Sequence, residues 1–206
     1  MRATRFGFGV GLLCAALSAG AADRGSGHFR KGEVRVEAKH VIAVTVDEEG
    51  DAASARTFVY LSSVPMDAGK IAAAFQPSSV AEGQLGDASA GYVRICINPD
   101  GDECGLYFSH NNPNASFNTS GYGTFKLASA PAGRIAGRWV LAEPDDFFGE
   151  TYDFDLNFDV AITPPPGTPL PADGGEPGKA YRAWTAAVAK GDIKVLSALV
   201  GGEYDA

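Results

Sequence analysis

Thr151-Tyr152-Asp153-Phe154-Asp155-Leu156-Asn157-Phe158-Asp159-Val160-Ala161-Ile162 is the stretch that decides the architecture. Tyr152, Phe154, Leu156, Phe158, Val160 and Ile162 share one parity, and Asp153, Asp155, Asn157 and Asp159 share the other. Successive side chains of a strand point to opposite faces, so this pattern predicts a long strand with one greasy and one acidic face. Neighbouring carboxylates on that face stand about 6.8 Å apart.

Two chemistries fit such a row. Asp153, Asp155 and Asp159 are candidate ligands for a calcium or sugar-binding face, or an acid pair for hydrolysis. The simpler reading is a solvated charge ladder. Upstream, Gly133–Leu141 carries Arg134 and Arg138 on one parity and Ile135, Trp139 and Leu141 on the other, and Lys126 lies in the strand before. In a three-strand meander, Lys126, Arg134 and Arg138 share the outer face with the aspartates. Opposite charges across strands contribute about 0.2–1 kcal/mol per pair, so the ladder needs no ligand and is the preferred reading.

Further strands are expected at residues 33–46, 57–62, 92–97, 105–109 and 121–128. Residues 33–46 alternate as a single half-buried strand, whereas Phe58-Val59-Tyr60-Leu61 is apolar on both faces. Asp47-Glu48-Glu49-Gly50-Asp51 is an acidic turn. Asp67 caps a short helix running to Phe75. With 26 Gly and 12 Pro in 206 residues, the chain is turn-rich. The expected fold is mainly β, an antiparallel β-sandwich or barrel over residues 22–162.

Residues 163–178 hold six prolines and four glycines and read as an extended linker. A helical period follows over 179–206. Tyr181, Trp184 and Val188 repeat on one face, Gly191 suits a helix C-terminus, and Asp192 caps a second helix carrying Ile193, Leu196, Leu199 and Val200. This is a helix-turn-helix segment, and two short amphipathic helices do not bury their own apolar faces. It is expected either to dock on the β domain or, preferably, to open a second domain. Trp139 and Trp184 fall on apolar parities and are assigned to cores.

The first 21 residues have the three parts of an export signal. Arg2 and Arg5 are basic, Phe6 to Leu17 is apolar, and Ala19-Gly20-Ala21 offers small residues to a peptidase. A lipid-modified Cys14 is the weaker alternative, because Leu13 precedes it where a small residue is needed. Loss of this segment takes the formal charge from −8 to −10, the wrong sign for gripping nucleic acid. A periplasmic or extracellular location follows. There Cys96 and Cys104 meet an oxidising environment. Asn98-Pro99-Asp100-Gly101 is turn chemistry, and a hairpin folded about Asp100 sets Cys96 directly opposite Cys104. A disulfide is expected. A redox pair fits less well, since those are usually Cys-x-x-Cys at a helix start.

Other motifs are thin. Asn98, Asp100 and Asp102 alternate like a calcium loop, but Glu103 and Ser109 occupy the places that want Gly and Glu. His28, His40 and His110 form no zinc-type pair. No Gly-x-Ser-x-Gly elbow, dinucleotide fingerprint or Walker loop occurs. The sequons at Asn114 and Asn118 mark a polar loop.

Two resemblances add to this reading. Lys179-Ala180-Tyr181-Arg182-Ala183-Trp184 through Ala187, then Lys190-Gly191-Asp192 and Val195-Leu196-Ser197-Ala198-Leu199, resembles the opening helices of nuclear transport factor 2-like domains. It reaches only those helices, so no binding residue carries over. Gly121 to Ile162 is similar to a β-rich domain of exported bacterial proteins without an assigned activity. The expectation is an exported, non-enzymatic β-sandwich module that binds or supports something in the cell envelope, without a cofactor. The alternative is a ligand-binding protein or enzyme whose pocket lies in a nuclear transport factor 2-like domain beyond residue 206.

Overall fold

A computed structural model describes residues 21–46, 54–86, 89–167 and 170–200. The expected export signal, apart from Ala21 but including Cys14, and the expected acidic turn at 47–51 lie outside them, as do the side chains of Leu199 and Val200. The chain forms β1 (Arg24–Lys31), β2 (Val34–Glu37), β3 (His40–Val46), β4 (Arg56–Ser62), α1 (Ala68–Ala72), α2 (Pro77–Gly83), β5 (Gly91–Ile97) and β6 (Glu103–His110). There follow β7 (Ala115–Thr119), β8 (Thr124–Ala128), β9 (Arg134–Val140), β10 (Asp145–Phe147), β11 (Glu150–Thr163), α3 (Gly175–Lys190) and α4 (Ile193–Val200). The chain divides into two compact units, the first ending at Pro165.

The first unit is mainly β, a mixed open sheet of eleven strands. β11 is its spine. It pairs antiparallel with β1, β9 and β10, and its last residues pair parallel with β3, Ile162 opposite Ala43. From β3 the order continues antiparallel through β4, β5, β6 and β7. The wholly antiparallel arrangement expected from the sequence is thus broken at one place. At β11 alternation wins: Tyr152, Phe154, Leu156, Phe158 and Val160 are buried and their polar neighbours are half-buried.

The strand expected over 33–46 is two strands. β2 pairs with β1 and β3 with β4, and the chain crosses between them at Ala38-Lys39. β1 itself was not expected. Its composition, Arg-Gly-Ser-Gly-His-Phe-Arg-Lys, carries one fully buried residue, Phe29. Gly27 is required there, because its φ is +110° and a Cβ would stand 1.8 Å from the Asp155 carbonyl oxygen.

The sheet serves two cores. In the larger, Phe29, Val36, Trp139, Phe154 and Phe158 meet Val59, Leu61, Val93, Ile95 and Phe108. Phe29 stacks on Phe108 with ring centroids 4.6 Å apart. Trp139 is fully buried and donates its indole N–H to the Tyr122 carbonyl at 2.8 Å. The second core lies on the opposite face of β3–β6. Val44, Phe58, Tyr60, Tyr92 and Cys96 pack there against Ile71 of α1 and Ala81 of α2. That second cover explains why β4 is apolar on both faces from Phe58 to Leu61. Asp67 caps α1 as expected, accepting from the Lys70 N–H at 3.1 Å.

Cys96 and Cys104 are joined, Cα atoms 5.0 Å apart. They are not opposite each other. Cys96 faces Gly105 and Ile97 faces Glu103, leaving Cys104 as the extra residue of a bulge. Of the two sequons, Asn114 lies in the turn before β7 as expected, whereas Asn118 lies on the strand itself.

In the second unit α3 starts at Gly175, four residues before the boundary expected from the sequence. Gly191 closes it with φ +65°, and Asp192 Oδ1 accepts from the Val195 N–H at 3.1 Å, the expected joint. Trp184 is not core. It is 41% exposed and stacks on Tyr181.

Candidate functional site

The face of β9, β11 and β1 turned away from the larger core carries the acidic row. Each aspartate meets a cation. Arg138 grips Asp155 with Nε at 2.9 Å and Nη2 at 2.7 Å. Arg134 holds Asp159 at 2.8 Å and also Asp23 at 3.0 Å. Asp153 receives Arg30 Nε at 2.7 Å and pairs with His28 Nε2 at 2.6 Å. The meander of β8, β9 and β11 exists. The third aspartate nevertheless draws its partners from β1, which sequence reasoning missed because those partners lie over 120 residues away. Lys126 stands opposite Arg138.

Partial burial pushes the Asp153 carboxyl up, but hydrogen bonds from His28 and Arg30 outweigh it and hold the group below the usual range. The Arg138 hydrogen bond draws Asp155 down as well. Among the described residues no three His, Cys, Asp or Glu side chains converge as for a metal. The candidate ligands Asp153, Asp155 and Asp159 are instead spread along a ladder of ion pairs. At the tip between β5 and β6, Asp100 Oδ1 accepts from the Asp102 N–H at 3.1 Å, so Asp100 closes its own turn. His110 is buried, its Nδ1 2.8 Å from the Pro113 carbonyl. His40 is half-buried in β3.

The opposite face of β4–β6 holds a second cluster that the sequence did not announce. Arg94 of β5 lies opposite Tyr60 and Tyr107 in register. Its guanidinium carbon sits 4.6 Å from the Phe58 ring centre and 5.3 Å from that of Tyr107. Its Nη1 donates to Ser78 Oγ on α2, and Tyr107 donates its hydroxyl to Glu82 of α2 at 3.1 Å. Arg94 Nε and the hydroxyls of Tyr60 and Tyr92 are buried without a hydrogen-bond partner in the protein. Burial pushes the Tyr60 hydroxyl up to about 12 and raises that of Tyr92 as well.

Arg94, Phe58 and Tyr107 open on a hollow of about 340 Å³, walled on the far side by Asn118, Thr119 and Ser120 and bordered by the disulfide. A second, shallower hollow of about 420 Å³ lies over Ser26 and Ala136 on the charged face. Arg94 was hidden in the sequence because Phe58, Tyr107 and Ser78 reach it from three different elements.

The chain matches no protein-family model. No curated protein and no solved structure matches it either. Among the described residues no helix is long and apolar enough to cross a membrane.

Proposed function

We propose that this chain is an exported module, periplasmic or extracellular, whose role in the cell envelope is to bind or support rather than to catalyse. The observation that carries this reading is the Cys96–Cys104 disulfide, a bond that persists in oxidising compartments and is rare in reducing ones. We further infer that the two ladders of the sheet stack as a β-sandwich. The larger core supports this, since it draws residues from β1, β2, β9 and β11 and from β3–β7 alike. A binding role is favoured over catalysis because each aspartate of the acidic row is engaged by an arginine.

The test is to express the full chain in a bacterium, fractionate the cells and weigh the product. Expected are a periplasmic or secreted protein that begins after Ala21 and lacks free thiols. A cytoplasmic product with Met1 intact and Cys96 and Cys104 reduced overturns export. A screen of the purified protein against glycans and esters checks the second half, and robust turnover overturns it.

A further inference from the structure

Arg94 is a half-buried cation whose hydrogen-bonding capacity is largely unspent. A guanidinium offers five N–H donors, and among the described residues Arg94 uses Ser78 as its acceptor and pairs with no carboxylate. Its counterparts on the other face do the opposite: Arg30, Arg134 and Arg138 are each clamped on an aspartate. The Phe58 and Tyr107 rings fix the Arg94 plane and shield it from water, which strengthens any charge-assisted hydrogen bond made there. Glu82, the acid that α2 brings to this cluster, accepts from Tyr107.

We propose that the hollow beside Arg94 binds a small carboxylate-bearing, polyhydroxylated ligand of the sugar-acid class. The guanidinium receives the carboxylate. Asn118, Thr119 and Ser120 face the ligand hydroxyls, and Tyr107 supplies a ring edge or face for its carbon skeleton. At about 340 Å³ the hollow is at the small end of ligand sites, which run from roughly 300 to 1,000 Å³. The chain's charge of −8 opposes the approach of a polyanion, so a single carboxylate on a small molecule fits better than a nucleic acid or a polyphosphate.

The test is titration of the full chain with D-glucuronate, D-glucose and acetate, followed by calorimetry and by NMR of the Asn118 amide and the Tyr107 ring. Glucuronate is expected to saturate and to shift both signals, glucose to do nothing, and acetate to bind at least about tenfold more weakly. Arg94→Lys keeps the charge but loses the planar fork, so glucuronate affinity should fall at least about tenfold. Arg30→Lys, on the charged face, should leave it unchanged. Should Arg94→Lys fail to fold, the wild-type NMR shifts and Asn118→Ala, with a several-fold weaker affinity expected, decide in its place. The proposal is overturned by no saturable glucuronate binding up to about 10 mM, by glucose binding equally well, or by a folded Arg94→Lys that binds like wild type.

Discussion

The face of β9, β11 and β1 and the opposite face of β4–β6 solve the same problem in contrary ways. Each must satisfy a strand surface turned away from the larger core. The first is left open, and its aspartates are neutralised by arginines across the strands, Arg138 and Arg134 diagonally and Arg30 directly opposite Asp153. The second is roofed by α1 and α2 and filled with aromatic rings. The open face draws on partly exposed ion pairs, which contribute modestly and weaken with salt. The roofed face draws on apolar burial and holds polar atoms without partners. Stability should therefore reside under the roof, and so should any capacity to bind.

The contrast breaks most directly at Ile71, fully buried on the inner side of α1. Ile71→Ala should cost about 3 kcal/mol, within the range of buried Ile-to-Ala changes, and chemical denaturation reads it as a lower midpoint with an unchanged slope. A loss below about 1 kcal/mol means the roof adds nothing.

The faces should also fail at opposite ends of the pH scale. Tyr60 titrates near 12 when folded and near 10 when unfolded. Its contribution is whole below pH 10 and is lost as pH climbs towards 12, roughly 2–3 kcal/mol in all. Thermal melts between pH 9 and 12 should fall accordingly, and Tyr60→Phe should flatten the decline.

Reduction of the disulfide, which lies on the roofed side, should cost about 2–3 kcal/mol for so short a loop. Melting with and without a thiol reductant measures it, and Cys96→Ala paired with Cys104→Ala should reproduce it.

The smallest effect belongs to the open face. Asp153 titrates below its unfolded value near 4, so its contribution is present above that pH and lost as pH falls below it. Asp153→Asn should cost about 1 kcal/mol at neutral pH and shrink the loss seen on acidification. An Asp153→Asn cost above that of Ile71→Ala would invert the comparison.

What the sequence revealed follows from how far apart the cooperating residues lie. The alternation of Tyr152 to Val160, the Asp67 cap and the Gly191-Asp192 joint are local signals, and each is present. So is the bridge between Cys96 and Cys104, although the bulge that admits it was not legible, because register depends on every pair along a ladder. β1 was missed since glycine and charge dominate it and one buried Phe29 carries no period. The break at Ala38-Lys39 was hidden because β2 and β3 keep one alternation while joining different partners. Trp184 misled because an apolar stripe states what a helix would cover, not whether it is covered. The Arg94 cluster is assembled by tertiary contacts alone.

The pairing of β1 with β11 sets a schedule for biogenesis. His28 and Asp153 are 125 positions apart, so a ribosome must deliver nearly the whole first unit before the opening strand finds its mate. Until then the amino-terminal stretch has no hydrogen-bonded neighbour on that side, and slow, non-local closure of this kind keeps a nascent chain loose. On the export route proposed above, that delay would keep the precursor threadable until its last strand appears.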